Sequence, residues 1–205
     1  MESLIAELIA DGWLKTPAII SAFRAVDRRE FVPEEIKPFA YENRALPIGW
    51  GQTISQPLTV AFMLEELKPR LGGKVLDIGF GSGWQTALLA HIVGAGGIVC
   101  AIERIPDLAA WGRANVERAG GKNVRFLVRD GFEGWPEEAP FDRLIAAARL
   151  AEIPRVWLGQ VRIGGRIVAP VGESIVVLEH AAQGQFSKIV HPGFVFVPFV
   201  HDEHG

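Results

Sequence analysis

Residues 75–90, Val75-Leu76-Asp77-Ile78-Gly79-Phe80-Gly81-Ser82-Gly83-Trp84-Gln85-Thr86-Ala87-Leu88-Leu89-Ala90, leave the chain few ways to fold. Val75 to Ile78 read as the end of a buried strand. Gly79, Gly81 and Gly83 form a turn without side chains, and Trp84 onward has the apolar spacing of a helix. A strand that runs through a glycine loop into a helix builds a nucleotide or nucleotide-like site. Glycine permits positive φ and lets a ligand approach the main chain, and the helix start leaves N–H donors free.

The flanking pattern predicts helix 84–93, a turn at 94–97, strand 98–102, helix 106–119, strand 124–128, strand 143–147, helix 154–160, a turn at Gly164-Gly165 and strand 166–171. Such alternation, with right-handed crossovers, predicts an α/β fold with a doubly wound, Rossmann-like, mostly parallel sheet. Ser174 to His180 and Lys188 to Val200 read as an antiparallel addition at one edge.

The N-terminal part reads as helices at 3–11, from Pro17 with Thr16 as N-cap, and at 58–67, with Leu46 to Gln56 as a loop. The apolar stripe of the first helix is Leu4, Ile5, Leu8 and Ile9; that of the second is Ile19, Ile20, Phe23 and Val26, with Arg24 and Arg28 on a solvated face. We read residues 1–205 as one domain: 1–70 as N-terminal helices and active-site loop over the ligand edge, 71–172 as the ligand-binding βαβ core, and 173–205 as the β edge.

A net charge of −3 predicts no nucleic-acid or membrane partner. There is no apolar run of about 18 residues and no basic leader, so a cytoplasmic protein is expected. The one cysteine, Cys100, falls in a predicted buried strand and reads as structural; no disulfide or cysteine zinc site is expected.

Charge narrows the ligand. The loop reads G-x-G-x-G, and Trp84 stands where a dinucleotide fingerprint has its third glycine. Asp77 precedes the first glycine by two residues and would oppose a pyrophosphate. At about 4 Å and an effective dielectric of about 20, such a like-charge pair costs about 4 kcal/mol. The same carboxylate favours a cation, and S-adenosylmethionine carries a sulfonium and an ammonium with no phosphate. Glu103 ends the next strand, where an acid accepts from ribose hydroxyls. Asp130-Gly131 ends the third, in reach of an adenine amino group. Ser55, before Pro57, is open to two readings: a helix N-cap or an active-site group.

The chain resembles the protein-L-isoaspartate O-methyltransferase family from about Leu8 to Val200. The likeness lies in Arg29-Glu30-Phe31-Val32-Pro33, Leu46-Pro47-Ile48-Gly49, Gly51-Gln52-Thr53-Ile54-Ser55-Gln56-Pro57, Val75 to Gly79, Gly81-Ser82-Gly83, Gln85-Thr86-Ala87, Asp130-Gly131, Glu152-Ile153-Pro154 and Gly164-Gly165-Arg166. The Thr-Ile-Ser-Gln-Pro stretch is the family-specific part.

The resemblance implies a class I methyltransferase fold. It implies methyl transfer from S-adenosylmethionine, leaving S-adenosyl-L-homocysteine, to the carboxylate of L-isoaspartyl residues in damaged proteins or peptides, by a monomer. It makes Ser55 the active-site residue toward the acceptor carboxylate, with Gln52, Thr53 and Ile54 where cofactor and peptide meet. Cofactor contacts are then expected at Asp77, Gly79, Phe80, Gly81, Gly83, Glu103, Asp130 and Gly131, and acceptor contacts at Ile54, Ser55 and Arg149. A carboxylate acceptor is ionised at neutral pH and needs no general base, which accounts for the absence of a histidine triad.

Two positions depart from the family pattern. Phe80 replaces a small or polar residue, and Arg149 stands in a segment, Ala146 to Ala151, that the family fills differently. Arg149 is open to binding a peptide carboxylate, closing the cleft, or pointing into water. The rival functions are a same-fold methyltransferase for another protein or peptide carboxylate, and a non-catalytic adenosine-binding module. An NAD-dependent oxidoreductase is disfavoured by Asp77 and Trp84. His201-Asp202-Glu203-His204 read as a solvated terminus, not a metal site.

Overall fold

The computed structural model describes residues 1–182 and 184–199; the 201–204 cluster, Val200 and Gln183 lie outside them. Helix α1 (Glu2–Ala10) buries Leu4, Ile5 and Leu8 but leaves Ile9 exposed, and Gly12 at φ 75° turns the chain out of it. Helix α2 (Pro17–Ala25) buries Ile19, Ala22 and Phe23. Thr16 occupies the N-cap position of α2 without capping it: its hydroxyl donates to Glu65 Oε2 at 2.6 Å.

Two expectations fail in the next stretch. Arg28 is not solvated but fully buried, because its guanidinium finds three carbonyl oxygens. Residues 46–56 are not a loop but an antiparallel hairpin of β1 (Leu46–Gly49) and β2 (Gln52–Ile54), turning through Trp50-Gly51. Gly49, Trp50 and Gly51 all have positive φ, at 94°, 51° and 69°, which is the twist a two-residue hairpin turn demands.

Helix α3 (Pro57–Leu67) follows with Gln56 at its N-cap position, so Ser55 does not cap it. Asn43 Oδ1 instead accepts from Leu58 N at 3.0 Å.

The central sheet has the order β5-β4-β3-β6-β7-β8-β9, with β3 (Lys74–Ile78), β4 (Ile98–Glu103), β5 (Val124–Val128), β6 (Phe141–Ala146) and β7 (Val161–Val171) parallel. β8 (Ser174–Ala182) and β9 (Gln185–Pro192) add antiparallel at the β7 edge. α4 (Trp84–Val93) and α5 (Pro106–Arg118) follow β3 and β4. The expected helix 154–160 is one turn, α6 (Arg155–Leu158). Gly164-Gly165 do not precede the last parallel strand; they lie inside β7, in a bulge that breaks its register against β6 between Phe141 and Arg143.

The second edge strand begins earlier than expected and ends at Pro192. Beyond it, residues 197–199 return to the parallel end: Arg149 N donates to Val197 O and Phe199 N to Arg149 O, both at 2.8 Å. One core cluster fills the space between the N-terminal helices, α4 and the sheet, and a second lies on the opposite face around Trp157. Connections from β3 run to one side, toward β4 and β5, and then return to β6 on the other. The carboxyl ends of these strands are where such a sheet opens a crevice.

Candidate active site

A cavity of about 420 Å³ occupies that crevice. Its floor comes from Ile78 to Ser82, its sides from Ile102 to Pro106, Arg129, Gly131, Ala147 and Ala148, and its cover from Gln52 to Ser55 of the hairpin. The volume suits a ligand of nucleoside size.

The glycine loop is held open by its own torsions. Gly79 and Gly81 sit at φ 78° and 49°, and a Cβ on Gly79 would meet nothing within 4 Å. Gly79 N and Phe80 N donate to Ile102 O, tying the loop to the neighbouring strand end. Gly83 serves packing instead: its Cβ would fall 2.5 Å from Val116 Cγ2. Gly112 of α5 is closer still, with a Cβ position 2.1 Å from Gly81 O. No local signal in the sequence marks this approach, and Asn115 Nδ2 reinforces it by donating to Ser82 O at 3.0 Å.

The three strand-end acids divide. Glu103 lines the cavity; its carboxylate accepts from Gly81 N at 3.1 Å and Ile105 N at 3.0 Å, which leaves lone pairs for ligand hydroxyls. Asp77 does not line it. Its carboxylate is fully buried beneath the loop, accepting from Gln85 Nε2 at 2.8 Å and Thr86 Oγ1 at 2.6 Å. Burial lifts its pKa to about 6; the two hydrogen bonds oppose that and the charge of Glu103 adds to it. Gln85 does face the cavity, so Asp77 reaches the ligand space through the amide it orients. The signal for it in the sequence is a polar pair, Gln85-Thr86, at the start of a mostly apolar helix. Asp130 also lies off the cavity, and its Oδ1 accepts from Phe132 N at 2.9 Å, while its neighbours Arg129 and Gly131 line the wall. Gly131 has to be glycine, since a Cβ would stand 2.3 Å from Ile78 Cγ2.

On the hairpin side, Gln52, Thr53, Ile54 and Ser55 all reach the cavity. Phe80 lines it while packing edge-on against Phe126, with ring centroids 5.3 Å apart. Arg149 is exposed and does not line the cavity; only its main chain takes part, pinning Val197 to Phe199, which do. No local pattern marks residues 197–199, because their place depends on that long-range pairing. Among the described residues no group of His, Cys, Asp and Glu is arranged to hold a metal, and no helix is long and apolar enough to cross a membrane.

A family model for protein-L-isoaspartate(D-aspartate) O-methyltransferase matches residues 1–204. A protein-L-isoaspartate O-methyltransferase of Methanopyrus kandleri is 40% identical over 207 residues, covering 98% of this chain and 92% of its own. Its counterpart in Ignicoccus hospitalis is 42% identical over 205 residues, covering 98% and 97%. Among solved structures, a Plasmodium falciparum chain in complex with S-adenosyl-L-homocysteine superposes with a TM-score of 0.86 at 22% identity over 97% of each chain, a likeness of fold. A protein-L-isoaspartate O-methyltransferase structure gives 0.88 at 27% identity, covering 96% of this chain and 65% of that one.

Proposed function

The chain belongs to the protein-L-isoaspartate O-methyltransferase family, and from that membership we propose that it methylates the carboxylate of L-isoaspartyl residues in damaged proteins or peptides. When bound, S-adenosylmethionine supplies a methyl group on a sulfonium and departs as S-adenosyl-L-homocysteine.

The observation that carries the reading is one shared cavity: Ser55, the glycine loop and Glu103 line the same space. The residues fit the donor. The cradle at Gly79 has no Cβ to fill it, and Glu103 offers oxygen acceptors at the strand end. Gly79, Phe80, Gly81 and Gly131 would hold the nucleoside, with Glu103 on the ribose and Gln85, set by Asp77, toward the amino-acid end.

Ser55 donates its hydroxyl hydrogen to an acceptor carboxylate oxygen and turns that oxygen toward the donor. Gln52, Thr53 and Ile54 cover the junction and exclude water. An ionised carboxylate asks the protein to remove no proton, so the chain contributes alignment, an effect worth about 7–11 kcal/mol when complete. The exposed position of Arg149 gives no support to a different carboxylate acceptor. The reading includes a monomer working in the cytoplasm.

The test is transfer of labelled methyl to an isoaspartyl peptide and to its aspartyl twin. Labelling of the first alone is expected; equal labelling, or none, overturns the proposal. Ser55→Ala is expected to lower kcat/KM for the isoaspartyl peptide about 100-fold, or about 2.7 kcal/mol, with affinity for S-adenosyl-L-homocysteine unchanged.

A further inference from the structure

Arg28 is the largest charged side chain wholly removed from water, and its partners are neither carboxylates nor ligand. Nη1 donates to Ala40 O, and Nη2 to both Arg44 O at 3.1 Å and Ser55 O at 3.0 Å. Its carbon Cζ lies 5.3 Å above the ring centre of Trp84, the first residue of α4 and part of the cavity wall. Nε has no partner among the described residues. A buried charge in this state is costly, and nothing about core packing requires a guanidinium here.

The placement of its partners explains it. Arg44 stands just before β1 and Ser55 just after β2, so one nitrogen of Arg28 grips both ends of the hairpin. The ring of Trp84 ties that grip to the helix that continues the glycine loop. Only a planar fork satisfies three carbonyls and a π face together; an ammonium concentrates its donors at one point.

We propose that Arg28 is a positioning residue for the methyl transfer: it fixes the main chain at Ser55 relative to the glycine loop and so sets the distance between acceptor and donor. The proposal rests on the isoaspartyl reading above. Arg28 touches neither reactant; it acts through the carbonyl of Ser55. Its loss therefore falls on the acceptor side. The donor's main contacts, at Gly79, Gly81 and Glu103, are held by β3 and β4 and do not depend on it.

The experiment compares the parent chain with Arg28→Lys and Arg28→Gln, each normalised to sites that bind S-adenosyl-L-homocysteine in calorimetry. The parent is first assayed on the isoaspartyl peptide and its aspartyl twin; failure there sinks the functional reading, not the role of Arg28. With the parent active, both variants are expected to keep affinity for S-adenosyl-L-homocysteine within twofold and lose at least tenfold in kcat/KM for the peptide. On a Ser55→Ala background, Arg28→Lys is expected to cost no more than twofold further, because the group it positions is gone. Peptide kinetics within twofold of the parent in either folded variant overturn the proposal. So does a fall in cofactor affinity that matches the fall in kcat/KM, since that is the mark of general structural support.

Discussion

Asp77 and Thr86 are joined by a 2.6 Å hydrogen bond from hydroxyl to carboxylate in a place closed to water. Burial dominates this carboxylate and raises its pKa from 3.8 to about 6. The folded state then holds a proton that the unfolded state has released. Between those two values stability falls as pH rises, the reverse of a salt-bridged aspartate, and above about pH 6 the contribution is constant. Asp77→Asn removes the dependence. Relative to the parent, its stability is expected to rise by up to about 3 kcal/mol from pH 4 to pH 7, read from denaturant midpoints. A difference independent of pH would show an aspartate that ionises as freely as an exposed one.

Glu103 accepts from two main-chain amides and faces the cavity. Glu103→Gln is expected to weaken S-adenosyl-L-homocysteine binding at least tenfold, about 1.4 kcal/mol. The contact is identified by comparison with the 2′-deoxy form of that ligand. The parent should discriminate strongly between the two and the variant hardly at all; equal discrimination would place the ribose elsewhere.

Gly112 permits α5 to touch the glycine loop. A Cβ there would stand 2.1 Å from Gly81 O and 3.0 Å from the Phe80 ring, and a main-chain oxygen cannot step aside cheaply. Gly112→Ala is expected to cost about 1–3 kcal/mol through overpacking and to displace the loop. Thermal melts with and without S-adenosyl-L-homocysteine report both effects: a lower midpoint, and a smaller upward shift when ligand is added.

At the hairpin tip, Trp50 adopts φ 51° and its ring lies 5.8 Å from that of Trp111 on α5. Trp50→Gly keeps the turn and removes the contact. The lost ring pair, about 0.5–1.5 kcal/mol, is offset by relief of a left-handed torsion worth about 1–2 kcal/mol. Stability should therefore change little, while KM for the isoaspartyl peptide rises several-fold and affinity for S-adenosyl-L-homocysteine stays within twofold. An unchanged KM would mean that the tip does not restrain the cover.

Much of this molecule is written locally. The helix at 84–93, strand β5 at 124–128 and the glycine loop between strand and helix stand where periodicity and glycine placement put them, within a residue or two. These signals are short-range: a torsion that only glycine adopts easily, or an apolar stripe that a helix must bury. The hairpin at 46–54 has no local signature because its turn runs through Trp50, and the positive φ of a tryptophan is secured by contact with α5, not by its own preference. Along the cavity wall, Ser55, Glu103, Gly79 and Gly81 stand where the sequence points, whereas Gly83, Asp77 and Asp130 lie off it. Gln85 carried a faint signal, and Val197 to Phe199 carried none.

By itself the sequence determined the succession of strands and helices around residues 75–131, the class of ligand that a glycine loop and a strand-end acid can hold, and the family. Tertiary structure alone decided what Arg28 and Asp77 do. Arg28 on a helical wheel is a solvated cation, and Asp77 beside a glycine loop is a ligand-facing anion. Whether a charge meets water, a ligand or a row of carbonyls depends on segments far away in the chain, and desolvation energies of that size are set only when those segments pack.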